Sequence, residues 1–267
     1  MKRKGFKGIL LLLSMLFALT GCSVSEATQH GMAVDTIQAE DVLLRVDFLN
    51  VGQADCALLS TNGHYMVIDG GNNGDADTIL SYLEGQGVEK LDAVVGTHPH
   101  EDHIGSLDAI INHFDVDAVY MPKIMHTSKT FEDVLDAVAN KGLKIKSPDP
   151  GDTIDFNGLE IEVLGPQREY KDFNNNSIVL KVNAGETAFL FTGDAEETAE
   201  KDILQAGYDL QADVLKVGHH GSSTSTSAEF LEAVSPSYGV ISCGKDNKYG
   251  HPHQSALDRL SAAGVQV

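Results

Sequence analysis

Positive charge is what this chain most lacks: 19 Lys and Arg stand against 39 Asp and Glu, for a net charge of −20 over 267 residues. Proteins that hold nucleic acid unaided rely on Lys and Arg to displace its counterions, so the composition weighs against an extended DNA-binding face. Bound divalent cations would reverse that only locally, which leaves DNA open as a substrate. Cysteine is scarce as well, with three in the chain. Two of them, Cys56 and Cys243, sit in apolar, strand-like stretches and read as buried free thiols rather than as a disulfide. Neither has a thiolate-stabilising neighbour, which argues against a cysteine nucleophile. No Gly-x-Ser-x-Gly element or Ser-His-Asp arrangement is evident, and the glycine-rich run Asp69–Gly74 lacks the lysine and helix of a phosphate loop. Long apolar runs are missing too: Gly8–Ala18 is short beside the roughly 20 residues of a membrane-spanning helix.

That stretch follows a basic segment with Lys2, Arg3, Lys4 and Lys7, and it precedes Leu19-Thr-Gly-Cys22, which resembles a bacterial lipobox. Residues 1–22 are therefore expected to be a lipoprotein signal peptide. A lipid on Cys22 would hold the exported protein to the outer face of the bacterial cytoplasmic membrane. Residues 23–41 are polar and read as a flexible tether, and residues 42–267 as one domain. Removing the first 21 residues takes away four basic groups and no acidic ones, leaving 246 residues with a net charge of −24. That length suffices for a single sizeable core. The closing run Ala262–Val267 reads as the start of a further strand, so the completeness of the C-terminus stays open.

Hydrophobic periodicity predicts strands at 42–49, 55–60 and 64–69, with a hairpin turn at Asn62-Gly63. A helix over 75–83, a strand at 91–96, a helix over 104–114, a strand at 116–121 and a helix over 130–141 follow. Short strands fill 143–164, and 178–182 pairs with 187–191 across Ala184-Gly185. Helix 195–206, strand 213–217, helix 227–234, strand 238–242 and helix 254–263 complete the order. Two strand-rich halves, each covered by helices, predict an α/β protein of αββα type: two mixed β-sheets flanked by helices.

The densest chemistry lies in Thr97-His-Pro-His-Glu-Asp-His103, directly after the apolar run Leu91–Gly96. Three imidazoles and a carboxylate thus leave the carboxyl end of a strand, where α/β proteins gather their ligand sites. This donor set suits Zn²⁺, with Mn²⁺ an alternative in a mixed nitrogen and oxygen site. The stretch matches the His-x-His-x-Asp-His signature of the metallo-β-lactamase superfamily. Five further stretches narrow the resemblance: Phe48–Asp55, Met66–Gly71, Phe191-Thr-Gly-Asp194, Leu215-Lys-Val-Gly-His-His-Gly-Ser222 and Lys248-Tyr-Gly-His-Pro-His253. Together they resemble the hydrolase domain of ComEC-type competence proteins and their free-standing secreted relatives.

The resemblance implies two divalent metal ions. His98, His100 and a bridging Asp194 would hold the first; Asp102, His103, Asp194 and one histidine of the His219-His220 pair would hold the second. The sequence leaves that last choice open and leans to His219, with His220 binding substrate or acting as an acid. The family's third motif often gives the first ion another histidine, but Phe173–Ile178 contains none. Asn176 and Ser177 are the polar groups expected nearby, and the loss makes the metal less strictly zinc. Asp55 is expected behind a ligand imidazole, and Asp69 on the floor of the site. Asp102, His220 and His251 are the catalytic candidates, His251 as a phosphate ligand or leaving-group acid. Lys129 and His126 are candidate anion contacts on a rim loop. Ser222 belongs to a run that either cradles an oxyanion or caps a helix.

Paired ions acidify a shared water, so hydrolysis without an organic cofactor is the expected reaction class. The missing third-motif histidine and the His-His pair favour a phosphodiester over a β-lactam or lactone. Within phosphodiesters, the charge favours a small cell-surface ligand such as a phosphorylcholine ester, and the resemblance to competence proteins favours DNA. The competing readings are a binding module that holds metal without turnover and a hydrolase of lactones or other esters.

Overall fold

The computed structural model describes residues 43–267. The expected signal peptide, the lipobox with Cys22 and the tether lie outside the described residues.

The first half runs β1 (Arg45–Phe48), β2 (Ala57–Thr61), β3 (His64–Ile68), α1 (Ala76–Gly85), β4 (Lys90–Leu91), β5 (Ala93–Val95), α2 (Glu101–Ile104) and α3 (Leu107–His113). It closes with β6 (Asp115–Val116), β7 (Val119–Tyr120), α4 (Lys129–Asn140) and β8 (Ile145–Lys146). The second half runs β9 (Thr153–Phe156), β10 (Leu159–Gly165), β11 (Val179–Ala184), β12 (Thr187–Phe191) and α5 (Glu197–Ala206). It ends with β13 (Val214–Lys216), α6 (Ala228–Val234), β14 (Tyr238–Val240) and α7 (Gln254–Ala262).

One sheet has the order β1-β2-β3-β5-β7-β8 and the other β14-β13-β12-β11-β10-β9, with β4 and β6 forming a separate short pair. Each large sheet starts with antiparallel hairpins and turns parallel, from β3 onward in the first and from β12 onward in the second. Period-two alternation explains how both faces are buried. Leu59, Met66, Ile68 and Val95 meet Ile161, Leu180, Val182 and Phe191 between the sheets. Leu58, Val67 and Val94 point the other way, into the layer with α1, α3 and α4. Val179, Leu190 and Leu215 do the same toward α5, α6 and α7. The arrangement is the expected αββα sandwich of two mixed sheets, and its parallel halves align the carboxyl ends of β3, β5, β12 and β13.

Local chemistry accounts for the element ends. Asn62 and Gly63 both have positive φ, as a two-residue hairpin turn requires. The Ser128 and Ser227 hydroxyls accept from the amides of Phe131 and Phe230 and cap α4 and α6. The predicted strand 91–96 is divided at Asp92, whose carboxylate accepts from the Tyr65 amide at 2.9 Å. The predicted helix 104–114 is likewise two pieces, α2 and α3. The amides of Gly105 and Ser106 donate to Gly71 and Gly70 carbonyls, and Gly70 donates to the His103 carbonyl. The loop after β3 is thus stitched to the metal loop.

Gly105 makes this approach possible. A Cβ there would lie 2.2 Å from the Asn72 carbonyl carbon and 2.3 Å from the Asn73 nitrogen, both backbone atoms. Gly105→Ala is therefore expected to cost at least about 1–3 kcal/mol of stability and to displace His103. Urea denaturation and a count of bound metal check both effects.

Cys56 is buried, Cys243 is half-buried, and both are free. Burial pushes each thiol up, away from thiolate character. Gln266 makes a parallel bridge to Tyr238 beside β14, where the closing residues were expected to begin a strand. Among the described residues no helix is long and apolar enough to cross a membrane.

Candidate metal centre

Four loops leaving strand ends converge on Asp194. The loop after β5 carries His98 and His100 and runs into α2 with Asp102 and His103; the loop after β12 carries Asp194; the loop after β13 carries His219 and His220. The loop after β3 brings Asp69 beneath them. Gly193, at φ +51°, lets the chain pass close to Ser177 and Thr97, whose hydroxyls a Cβ would meet at 2.9 Å. Asp194 is not a helix cap, because α5 begins only at Glu197.

The two Asp194 oxygens face different partners. Oδ1 lies 3.2 Å from His103 Nε2 and 3.8 Å from His220 Nε2. Oδ2 lies 3.8 Å from His98 Nε2 and 3.6 Å from His219 Nε2. His100 Nδ1 approaches His98 Nε2 at 3.0 Å, and Asp102 Oδ2 approaches His220 Nε2 at 3.3 Å. Among the described residues four triads have donor atoms all within 4.8 Å of one another: His98, His103 and Asp194; Asp102, His103 and His220; Asp55, Asp194 and His220; and Asp55, Asp69 and His103. His219 stands at the pocket wall, outside these compact triads. It is therefore His220, not His219, that joins Asp102 and His103, the reverse of the way the sequence leans.

The donor set fits divalent cations. His103 Nε2, His220 Nε2 and Asp194 Oδ1 are buried without a hydrogen-bond partner, although all three aim at one space. Buried polar atoms are normally paired, and an array of imidazoles with carboxylates suits Zn²⁺ or Mn²⁺. Charge at the site agrees. Burial opposes a proton on His103, but Asp194 and Asp69 outweigh it and raise the imidazole well above its ordinary value. His220 is pushed up to about 10 against the same burial, by Asp194 and Asp55. His98 has less compensation: burial and the neighbouring His103 hold it well below the ordinary range. The carboxylates thus draw positive charge into this pocket floor, the role that a cation fills.

Behind the imidazoles, oxygen atoms fix the rings. His103 Nδ1 faces Asp69 Oδ2 at 2.8 Å, and Asp69 also accepts from the Thr97 amide and hydroxyl. His220 Nδ1 donates to the Ser242 carbonyl at 2.9 Å, with Asp55 Oδ1 3.3 Å away. The Thr97 and Ser177 hydroxyls lie at 3.2 and 3.3 Å from His98 Nδ1. Asp55 is itself paired with buried Lys216 at 2.7 Å, a partnership that sequence reading missed.

Above this floor opens a pocket of about 660 Å³, with His251, Tyr249, Lys248, Gln53 and Asn174 on its walls. Gln53 Oε1 accepts from the Gly244 amide, so its Nε2 donates to His251 Nδ1 at 3.3 Å. His251 Nε2 then carries the proton. Burial and the rings of His219, His253 and His220 push His251 down to about 4, so it is a neutral donor at pH 7.

Four expected contacts are not on these walls. Lys129 pairs outward with Asp133, one helical turn on. Asn176 turns its amide to the backbone of Tyr170 and Asp172, which shapes its own loop. Ser222 is buried against the Thr224 hydroxyl at 3.0 Å. His126 bonds Ser128 at 2.8 Å, its ring against Phe173 and 6.4 Å from His100. The exposed cation on the pocket wall is Lys248, inside a stretch that the sequence singled out without giving this residue a role.

Residues 49–245 match the Metallo-beta-lactamase superfamily. The chain is 31% identical over 241 residues to ComE operon protein 3 of Bacillus subtilis (strain 168), covering 83% of this chain and 31% of that protein. Competence protein ComA of Neisseria gonorrhoeae is 31% identical over 229 residues, covering 82% of this chain and 30% of ComA. The chain thus spans less than a third of these curated relatives' length. Among solved structures, the metallo-beta-lactamase fold protein YhfI from Bacillus subtilis superposes with a TM-score of 0.57 at 12% identity, over 82% of this chain and 93% of that one. The matched span covers most of the described residues and the likeness to YhfI extends to the fold, so the chain belongs to the metallo-beta-lactamase superfamily, with ComEC-like competence proteins among its relatives.

Proposed function

We propose that this protein is a dinuclear metal hydrolase that cleaves phosphodiesters. The observation that carries the reading is the convergence of buried, unpartnered imidazole and carboxylate atoms on Asp194. His98, His100 and Asp194 Oδ2 would hold one ion; Asp102, His103, His220 and Asp194 Oδ1 would hold the other. Bound there, divalent ions supply Lewis acidity and a water whose proton is lost near neutral pH.

The chain's own residues do the rest. Asp69, Ser242 and the hydroxyls of Thr97 and Ser177 hold the imidazoles with Nε2 forward. His251, its tautomer set by Gln53, donates a hydrogen bond from Nε2 to a substrate oxygen, and Lys248 meets the anion at the rim. A pocket of about 660 Å³ suits a small phosphodiester or the end of a single strand, and the acidic surface disfavours a long duplex. The relative named for competence favours DNA; the net charge favours the small ligand. The lipobox-like Leu19–Cys22 supports action at the outer face of the membrane.

Assays with Mn²⁺ or Zn²⁺ on bis-p-nitrophenyl phosphate, single-stranded DNA and a lactone test the proposal. Phosphodiester turnover is expected, abolished by a chelator and in His103→Ala. Equal activity in the variant, turnover of the lactone alone, or a purified protein that binds no metal would each overturn it.

A further inference from the structure

We infer that His219 is the third imidazole of the first metal position, standing in for the histidine that Phe173–Ile178 lacks; this rests on the dinuclear reading above. The two oxygens of Asp194 sort the histidines. His103 and His220 face Oδ1, whereas His219 shares Oδ2 with His98, at 3.6 and 3.8 Å. His219 is thereby on the side of the first ion, opposite to Asp102.

Its ring is held as the other ligand rings are. Nδ1 lies 3.2 Å from Glu196 Oε1, which also accepts from the Thr224 hydroxyl at 2.9 Å, and Nε2 is left forward. An acceptor behind the far nitrogen is the usual support of a metal-binding imidazole. Two asparagines of the third-motif stretch contact the same residue, one at its carboxylate and one at its backbone amide. Asn174 Nδ2 approaches Glu196 Oε1 at 3.4 Å, and Asn175 Oδ1 accepts from the Glu196 amide at 3.1 Å. The stretch that lost a ligand thus supports the residue that holds its replacement.

The backbone agrees. His219 and His220 both sit at positive φ, +49° and +53°. Two successive non-glycine residues in the left-handed region are costly. Here the conformation turns neighbouring rings to the two oxygens of one carboxylate. His219 is half-buried on the pocket wall, beside the ion position that it would share.

Zn²⁺ counted by mass spectrometry after gel filtration, with affinity from competition against a chromophoric chelator, tests the inference without an activity readout. The wild-type chain is expected to hold two ions, and His219→Ala one. His100→Ala with His219→Ala should still hold one, because both act on the same ion; His219→Ala with His220→Ala should hold none. Glu196→Gln, which keeps the imidazole and guards against a misfolded alanine variant, should weaken one ion by about 10–100-fold and leave the other unchanged. Two ions at wild-type affinity in His219→Ala, or loss of both in the His100/His219 double variant, would overturn the assignment alone. A wild-type chain that binds none would overturn the dinuclear reading with it.

Discussion

Asp194→Ala is expected to release both metal ions at once and to lower phosphodiester turnover by about 10³-fold or more. That figure corresponds to loss of the several kcal/mol of charge stabilisation that bound metal gives a transition state. The reason is geometric: one carboxylate offers Oδ1 to His103 and His220 and Oδ2 to His98 and His219. Every other donor touches one side of that arrangement; Asp194 touches both. His103 and His220 outweigh burial and hold its carboxyl well below the usual range, so it is ionised whenever the protein is folded near neutral pH. A metal count and turnover of bis-p-nitrophenyl phosphate check the result. A variant that keeps both ions would remove the bridging role, and a wild-type chain that holds fewer than two would remove the dinuclear reading.

The largest effect on stability is expected at Lys216, whose Nζ lies 2.7 Å from Asp55 Oδ2 and donates to the Val217 carbonyl at 3.1 Å. Both side chains are about 5% exposed. Burial alone would raise the Asp55 carboxyl; Lys216 and His220 outweigh it and keep the group ionised. Lys216→Met leaves that charge buried without its partner, which costs about 3–5 kcal/mol. This is a large share of the roughly 5–15 kcal/mol that keeps a domain folded. Adding Asp55→Leu should recover most of the loss, since a buried ion pair and an apolar pair of similar volume are close in energy. Metal affinity in that double variant should fall about 10–100-fold below wild type, because His220 then lacks the carboxylate behind its ring. Urea denaturation and Zn²⁺ competition separate the two effects. Full stability in the single variant would show that the pair contributes nothing to the fold.

Part of Lys129's placement is legible in the sequence. Asp133 stands one turn along the same helix, the spacing at which Lys and Asp pair, and that neighbour takes the charge that a rim position would have offered substrate. Gly105 is a different case. Apolar spacing continues through Ile104, Leu107, Ile110 and Ile111, so periodicity reads one helix. The division comes from backbone bonds to Gly70 and Gly71, more than 30 positions earlier. Gln53 acts on His251 across 198 positions, and no local pattern could announce that.

The sequence by itself determined the alternation that buries two sheets, the turns between their hairpins, and a loop in which His98, His100, Asp102 and His103 travel together. These depend on neighbours a few residues apart, whose directions follow from strand and turn geometry. Tertiary structure alone decided which imidazole faces which oxygen of Asp194, that Lys216 neutralises Asp55 beneath the site, and that Glu196 holds His219. Such pairings arise where strand ends from both halves meet, and buried charges accept only the partners that this meeting supplies.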